Sequence, residues 1–163
     1  MARIVMKFGG TSVANPERIR KVADLVKAET EMGNEVAVVV SAMSGETNRL
    51  VGYVDDLSGD SDMGGHVDDE YDTIVSSGEQ VTSGLLAIAL RRRGVPARSW
   101  QGWQIPLETD GDHSKARIRG IKTLALGDSL SNGNVGVVAG FQGISPDQRV
   151  STLGRGGSDT SAV

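Results

Sequence analysis

Arg3-Ile4-Val5-Met6-Lys7-Phe8-Gly9-Gly10-Thr11-Ser12, followed by Asn15-Pro16-Glu17, is the stretch on which the fold of this chain turns. Ile4, Val5 and Met6 predict a short buried strand over residues 3–8, broken by the glycine pair. Asn15 predicts a helix N-cap, Pro16 the first helical position, and Glu17 an acid that complements the positive end of the helix dipole. Ile19, Val22, Ala23 and Val26 recur at i, i+3, i+4 and i+7, an apolar stripe that ends before Gly33. Val36, Val38, Val39 and Val40 then form the near-continuous apolar run of a parallel strand covered on both faces. The opening of the chain is one β-loop-α-β unit.

Working outward, the same grammar repeats. A loop over 41–45 leads to a predicted helix over 46–57. Between Asp55 and Asp72 lie eight acidic residues with Gly59, Gly64 and Gly65, which predict a solvated loop. A helix is expected over 78–93, with Val81, Leu85, Ile88 and Ala89 on one face, capped at its start by Ser76 or Ser77 and stopped by Gly94. Residues 96–100 read as a strand, 116–125 as strand then helix, 134–140 as a buried strand around Val135, Val137 and Val138, and 148–152 as a short edge strand. Strands alternating with helices imply an α/β sandwich with a mostly parallel sheet. Residues 154–163 read as a glycine-rich loop opening into a helix too short to stand alone, so the chain is expected to be the front part of a longer domain.

Composition narrows the function classes. The 163 residues are 38% hydrophobic and 23% charged, with a formal net charge of -4 and no concentrated Lys/Arg face, so no nucleic-acid partner is expected. Arg91-Arg92-Arg93 lies at a predicted helix end, where cations complement the dipole. The absence of cysteine excludes disulfide scaffolds, thiol catalysis and cysteine-bound zinc. No apolar run approaches the roughly 20 residues of a membrane span and no signal-peptide pattern is present, so a cytoplasmic protein without membrane contact is expected. Asp60 and Asp62 lack the remaining ligand pattern of a calcium loop, and His66 and His113 have no ligand-spaced partner, so no protein-held metal is expected.

Four loops carry the chemistry. In Lys7-Phe8-Gly9-Gly10-Thr11-Ser12 the glycines let backbone N–H groups approach an anion, the following helix adds partial positive charge, and Lys7 adds a full one. The order of residues is neither a Walker A loop nor a G-x-G-x-x-G fingerprint. Ser41-Ala42-Met43-Ser44-Gly45-Glu46-Thr47-Asn48 places small hydroxyl residues after a strand, suited to anion binding or to plain helix capping by Ser44. In Ser76-Ser77-Gly78-Glu79 the acid is either a dipole complement or a partner for a substrate ammonium. Gly154-Arg155-Gly156-Gly157-Ser158-Asp159-Thr160 can present a guanidinium fork to a carboxylate or phosphate. All four should meet along one edge of a parallel sheet, which points to phosphoryl transfer or binding of a small anionic metabolite.

These residues carry a resemblance. Lys7 to Val13 resembles the aspartokinase signature KFGGTSV, and Val39-Val40-Ser41-Ala42-Met43, Ser77-Gly78-Glu79, His113-Ser114-Lys115-Ala116-Arg117-Ile118, Val138 to Gly143 and Thr152 to Thr160 follow in family order. The resemblance implies the amino-acid-kinase fold, a three-layer α/β/α sandwich with a mostly parallel central sheet, here incomplete at its C-terminus. It implies that ATP, carrying Mg²⁺, and L-aspartate meet at the sheet edge. Lys7, Phe8, Gly9, Gly10 and Ser12 would hold the transferring phosphates. Ser41, Thr47 and Glu79 would line the aspartate pocket, with Glu79 on the ammonium, Arg155 on a carboxylate and Ser158 positioning it, while Asp159 would orient Lys7 or the substrate amine. An aspartate β-carboxylate is ionised at neutral pH, with a reference pKa of about 3.9, so no general base is required. The site's task would be to neutralise charge and align the reactants.

The resemblance further implies that residues 1–163 are the N-terminal portion of the catalytic domain. The nucleotide-holding remainder and regulatory ACT domains would lie beyond it, and this portion alone would be inactive. A homo-oligomer is expected because an incomplete sheet leaves an open edge. The alternatives are a kinase for acetylglutamate, glutamate, carbamate or a nucleotide, and a non-catalytic subunit of the same fold serving substrate binding or assembly.

Overall fold

The computed structural model describes residues 2–58, 69–154 and 157–163. Its central layer is a four-stranded, all-parallel sheet of β1 (Arg3–Phe8), β2 (Glu35–Val40), β6 (Val135–Ala139) and β3 (Ala97–Trp100), in the order β1-β2-β6-β3. Helices α1 (Pro16–Glu31) and α4 (Ser77–Arg91) cover one face. Helices α5 (Leu124–Ser131) and α6 (Gly157–Ala162) lie on the other. This is the expected α/β/α sandwich.

Local chemistry explains the first unit. The Asn15 side chain accepts from the Arg18 N–H at 3.0 Å and Pro16 occupies the first turn, as the capping pattern requires. Gly33 takes φ +81° just past the helix, a left-handed stop that a side chain would resist. Ile19, Val22, Ala23 and Val26 are all buried, packed with Val36, Val38 and Val40 of β2. The opposite face of β2, Ala37 and Val39, packs with Trp100, Leu126, Leu130 and Val138. A strand buried on both sides needs this unbroken apolar run.

Several expectations change. Strand β1 is an edge strand, with only Ile4, Met6 and Phe8 turned toward the core and Val5 54% exposed. On α4 the core face is Leu86, Ala87 and Leu90 with Glu79, Thr82 and Ser83; of the expected face, Leu85 and Ala89 are half-buried against the same core, whereas Val81 and Ile88 are 53% and 59% exposed. The second half of the helix, Leu85 to Leu90, is an unbroken apolar run, so periodicity could not choose a face there. The polar side chains settle well because Thr82 Oγ1 donates to the Gly78 carbonyl and Ser83 Oγ to that of Gln80. Ser76 makes no side-chain cap, being in a helical conformation between α3 (Asp69–Val75) and α4. The acidic stretch is helical at both ends, since α2 runs Glu46–Ser58 and α3 starts at Asp69. Asp60, Asp62 and His66 lie outside the described residues.

A second four-stranded sheet, β5-β4-β7-β8, was not anticipated. It combines β4 (Leu107–Thr109), β5 (Ile118–Ile121), β7 (Gln142–Ile144) and β8 (Val150–Thr152), with β4/β5 and β7/β8 antiparallel and β4/β7 parallel. The strands expected within 116–125 and 148–152 form as β5 and β8, whereas β4 and β7, of three residues each, contain too few alternations to be read from pattern. This small sheet carries the chain from β6 back to α6, and so places the final loop beside the first.

Candidate active site

The carboxyl ends of β1 and β2 open onto a cleft of about 370 Å³. Lys7 and Gly10 form one wall, residues Ser41 to Gly45 with Thr47 and Asn48 a second, and Gly154, Gly157, Ser158 and Asp159 a third, with Glu79 and Phe141 also lining it. Four separate segments thus converge where a parallel sheet places its ligands.

Their packing depends on missing side chains. A Cβ on Gly10 would stand 3.0 Å from the Ala42 carbonyl oxygen, and one on Gly78 would stand 2.8 Å from Ala42 Cβ. The first loop and the start of α4 therefore both press against the second loop at Ala42. Phe141 has φ +68°, a left-handed conformation rare for an aromatic residue, at the corner where β6 turns into β7.

Charge is arranged around this frame. Lys7 Nζ lies 2.7 Å from Asp159 Oδ1, joining the first strand to the first turn of α6. Ser41 Oγ donates to Ser158 Oγ at 3.1 Å, tying the end of β2 to the same helix. Glu79 is 4% exposed; its Oε1 accepts from the Ala42 N–H at 3.1 Å, and its buried Oε2 has no hydrogen-bond partner. Burial pushes the Glu79 carboxyl up to about 7, partly opposed by the Ala42 N–H. An uncompensated carboxylate oxygen at a cleft wall favours a cationic ligand group.

Of the residues singled out from sequence, Lys7, Gly10, Ser41, Thr47, Glu79, Ser158 and Asp159 line the cleft together. Gly9 lies beside the Lys7 ammonium, since a Cβ there would be 3.5 Å from Nζ. Phe8 instead packs against the apolar core, and its carbonyl accepts from the Ser41 N–H. Ser12 does not line the cleft; its N–H donates to the Gly9 carbonyl and closes the turn. Arg155 lies outside the described residues. Sequence reasoning assigned no role to Asn48 or Phe141, and only the turn into α2, which puts Asn48 one residue past Thr47, could have signalled the former.

A model of the amino acid kinase family matches residues 2–163. The chain belongs to the amino acid kinase family. This kinase-family chain is 53% identical over 163 residues to an aspartate kinase of Pseudomonas fluorescens (strain SBW25). It is 49% identical over 163 residues to an aspartokinase of Rickettsia conorii (strain ATCC VR-613 / Malish 7). All of this chain is matched in both, but only 39% and 40% of the relatives, so it spans about two fifths of their length. The crystal structure of an aspartate kinase from Synechocystis superposes with a TM-score of 0.74 at 41% identity, covering 97% of this chain and 25% of that one. E. coli aspartokinase III in complex with aspartate and ADP shares the fold, with a TM-score of 0.77 at 24% identity, covering 98% of this chain and 45% of that one.

Magnesium accompanies nucleotides in kinase chemistry, held chiefly by phosphates and one or two carboxylates. Among the described residues no group of three or more His, Asp or Glu side chains could hold a metal. In the cleft, Asp159 has one oxygen beyond that facing Lys7. A single such carboxylate oxygen fits an ion carried in on a nucleotide. Among the described residues no helix is long and apolar enough to cross a membrane.

Proposed function

We propose that this chain carries the aspartate- and phosphate-handling half of an aspartokinase, which transfers the γ-phosphoryl group of ATP to the β-carboxylate of L-aspartate. The observation that carries the reading is the cleft shared by the buried, half-satisfied Glu79 carboxylate and the Lys7–Asp159 pair. A ligand bearing an ammonium at one end and a phosphate-accepting oxygen at the other suits that polarity. The names of relatives about 50% identical along the whole chain point the same way.

In the transfer, a β-carboxylate oxygen forms the bond to the γ-phosphorus while the bond to the bridging oxygen breaks, releasing ADP and 4-phospho-L-aspartate. No proton moves. The obstacle is repulsion between two anions, which Lys7 and the backbone N–H groups near Gly9 and Gly10 lower. Asp159 fixes the Lys7 ammonium at the head of the cleft and acts as an orienting group, not a base. Glu79 pairs the substrate ammonium, with Ser41, Thr47 and Ser158 around it and Arg155 on a substrate carboxylate. Magnesium, arriving with ATP, supplies further charge neutralisation on the phosphates.

ATP and a free amino acid as substrates suit a cytoplasmic enzyme. The exposed Val81 and Ile88 support self-association. A monodisperse monomer of the complete protein in light scattering would count against that.

The test is ADP release by the complete protein with each acceptor in turn, with hydroxylamine trapping the acyl phosphate as a hydroxamate. Turnover should require L-aspartate. Equal turnover with glutamate, acetylglutamate or carbamate would favour another kinase of the family, and no turnover with any acceptor would favour the non-catalytic reading.

A further inference from the structure

Outside the cleft, Asp72, which the sequence placed in a solvated loop, is a charged side chain the structure buries fully. Its carboxylate accepts from the Thr152 hydroxyl at 2.6 Å and the Thr152 N–H at 3.0 Å. The Ser114 N–H reaches both oxygens, at 3.0 and 3.1 Å, and His113 Nδ1 lies 2.7 Å from Oδ2. One helical turn later the buried Ser76 donates its N–H to the Asp72 carbonyl, and its own carbonyl accepts from Gln142 Nε2 at 3.0 Å. Gln142 and Thr152 are direct partners across the antiparallel β7–β8 pair. The α3–α4 corner is therefore gripped at two points by one cross-strand pair.

What lies at each end of this grip gives it meaning. Three residues past Ser76, α4 carries Glu79; immediately before Gln142 stands Phe141, and β8 leads through Leu153 and Gly154 to Ser158 and Asp159. We propose that Asp72, through Thr152 and in concert with the Gln142–Ser76 bond, is a positioning residue that sets the Glu79 side of the cleft at its working distance from the Ser158–Asp159–Lys7 side. The inference rests on the proposed transfer reaction. If Glu79 holds the acceptor's ammonium and Lys7 the phosphates, this clamp sets the separation of the reacting atoms. A displacement of about 1 Å there can cost about a hundredfold in rate.

A carboxylate suits the position because the Thr152 hydroxyl and the Thr152 and Ser114 N–H groups all donate to it, and His113 Nδ1 can donate as well. An amide would turn its own N–H₂ toward one of them and leave both unsatisfied. The Thr152 hydroxyl is the one donor that can be removed without altering backbone or volume.

The test uses the complete protein with three variants: Thr152→Val, Thr152→Ser and Asp72→Asn. Each is checked for a cooperative melt, then measured for kcat, for KM toward both substrates and for amide exchange along the chain. Thr152→Val should lower kcat at least tenfold with KM for ATP within twofold, and Thr152→Ser should restore kcat to within threefold of wild type. Amide exchange should quicken in β8 and α6 of Thr152→Val and Asp72→Asn while β2 and β6 stay protected. Wild-type kcat in Thr152→Val, or equal damage in Thr152→Ser, would overturn the clamp. If Asp72→Asn does not fold, the two Thr152 variants decide. If the wild type fails to phosphorylate aspartate, the transfer reading falls by itself, and unchanged exchange in Thr152→Val would then overturn the clamp independently.

Discussion

Replacing Glu79 by glutamine separates what this side chain costs the fold from what it contributes to binding. Its carboxyl rises from an ordinary 4.5 to about 7 on folding because burial penalises the charged form. Each unit corresponds to about 1.4 kcal/mol, so the ionised side chain destabilises the native state by about 3 kcal/mol once pH is well above 7. The sign follows from proton binding. Between pH 4.5 and 7 the native state keeps a proton that the unfolded state releases, so stability falls as pH rises through that window and levels off above it. Glutamine can still accept from the Ala42 N–H through its carbonyl oxygen, and it carries no charge at any pH. Urea unfolding should show Glu79→Gln gaining about 3 kcal/mol on wild type between pH 4.5 and pH 8. The same variant should raise the KM for aspartate at least a hundredfold, because a buried ammonium loses its counter-ion. A stability difference independent of pH would refute the burial argument, and an unchanged aspartate KM would refute the ammonium assignment. Wild-type affinity for aspartate should also weaken as pH falls below 7, where Glu79 holds its own proton.

Asp159→Asn should lower kcat by about a hundredfold, yet change urea stability by less than about 1 kcal/mol, since its ion pair with Lys7 is solvent-exposed and screened. Lys7→Ala should lower kcat by about 10²–10³ in the same assay, the loss expected when a charged donor to a transferring group is removed. Two α4 glycines should respond with opposite signs in thermal unfolding. Gly84→Ala has open space and should stabilise by about 0.5–1 kcal/mol, whereas Gly78→Ala meets Ala42 Cβ at 2.8 Å and should destabilise by about 1–3 kcal/mol.

The order β-loop-α-β, the Asn15-Pro16 helix start and the double burial of β2 follow from local chemistry alone. Capping, proline geometry and an unbroken valine run each have one structural solution, and the structure shows it. The meeting of Lys7 and Ser41 was also legible, because the ends of adjacent parallel strands open on one edge, while Glu79 and Ser158, which start helices after α3 and β8, were brought there by the tertiary fold. Tertiary structure decided which face of α4 turned inward, since the unbroken apolar run Leu85 to Leu90 has no stripe to read and the buried Glu79 finds its Ala42 N–H only when folded. It decided that Ser12 closes a turn and that Phe8 packs half-buried against the core, because glycine-loop geometry is not written in residue type. It alone paired β5 and β8 with β4 and β7, two strands too short for a period, because strand pairing joins distant stretches of chain. For the same reason it alone could show that Asp72, one acid among many in sequence, is a buried hub for donors brought from residues 113, 114 and 152. Local pattern fixes what a segment can be, while the partners of a buried charge come from distant chain and exist only after folding.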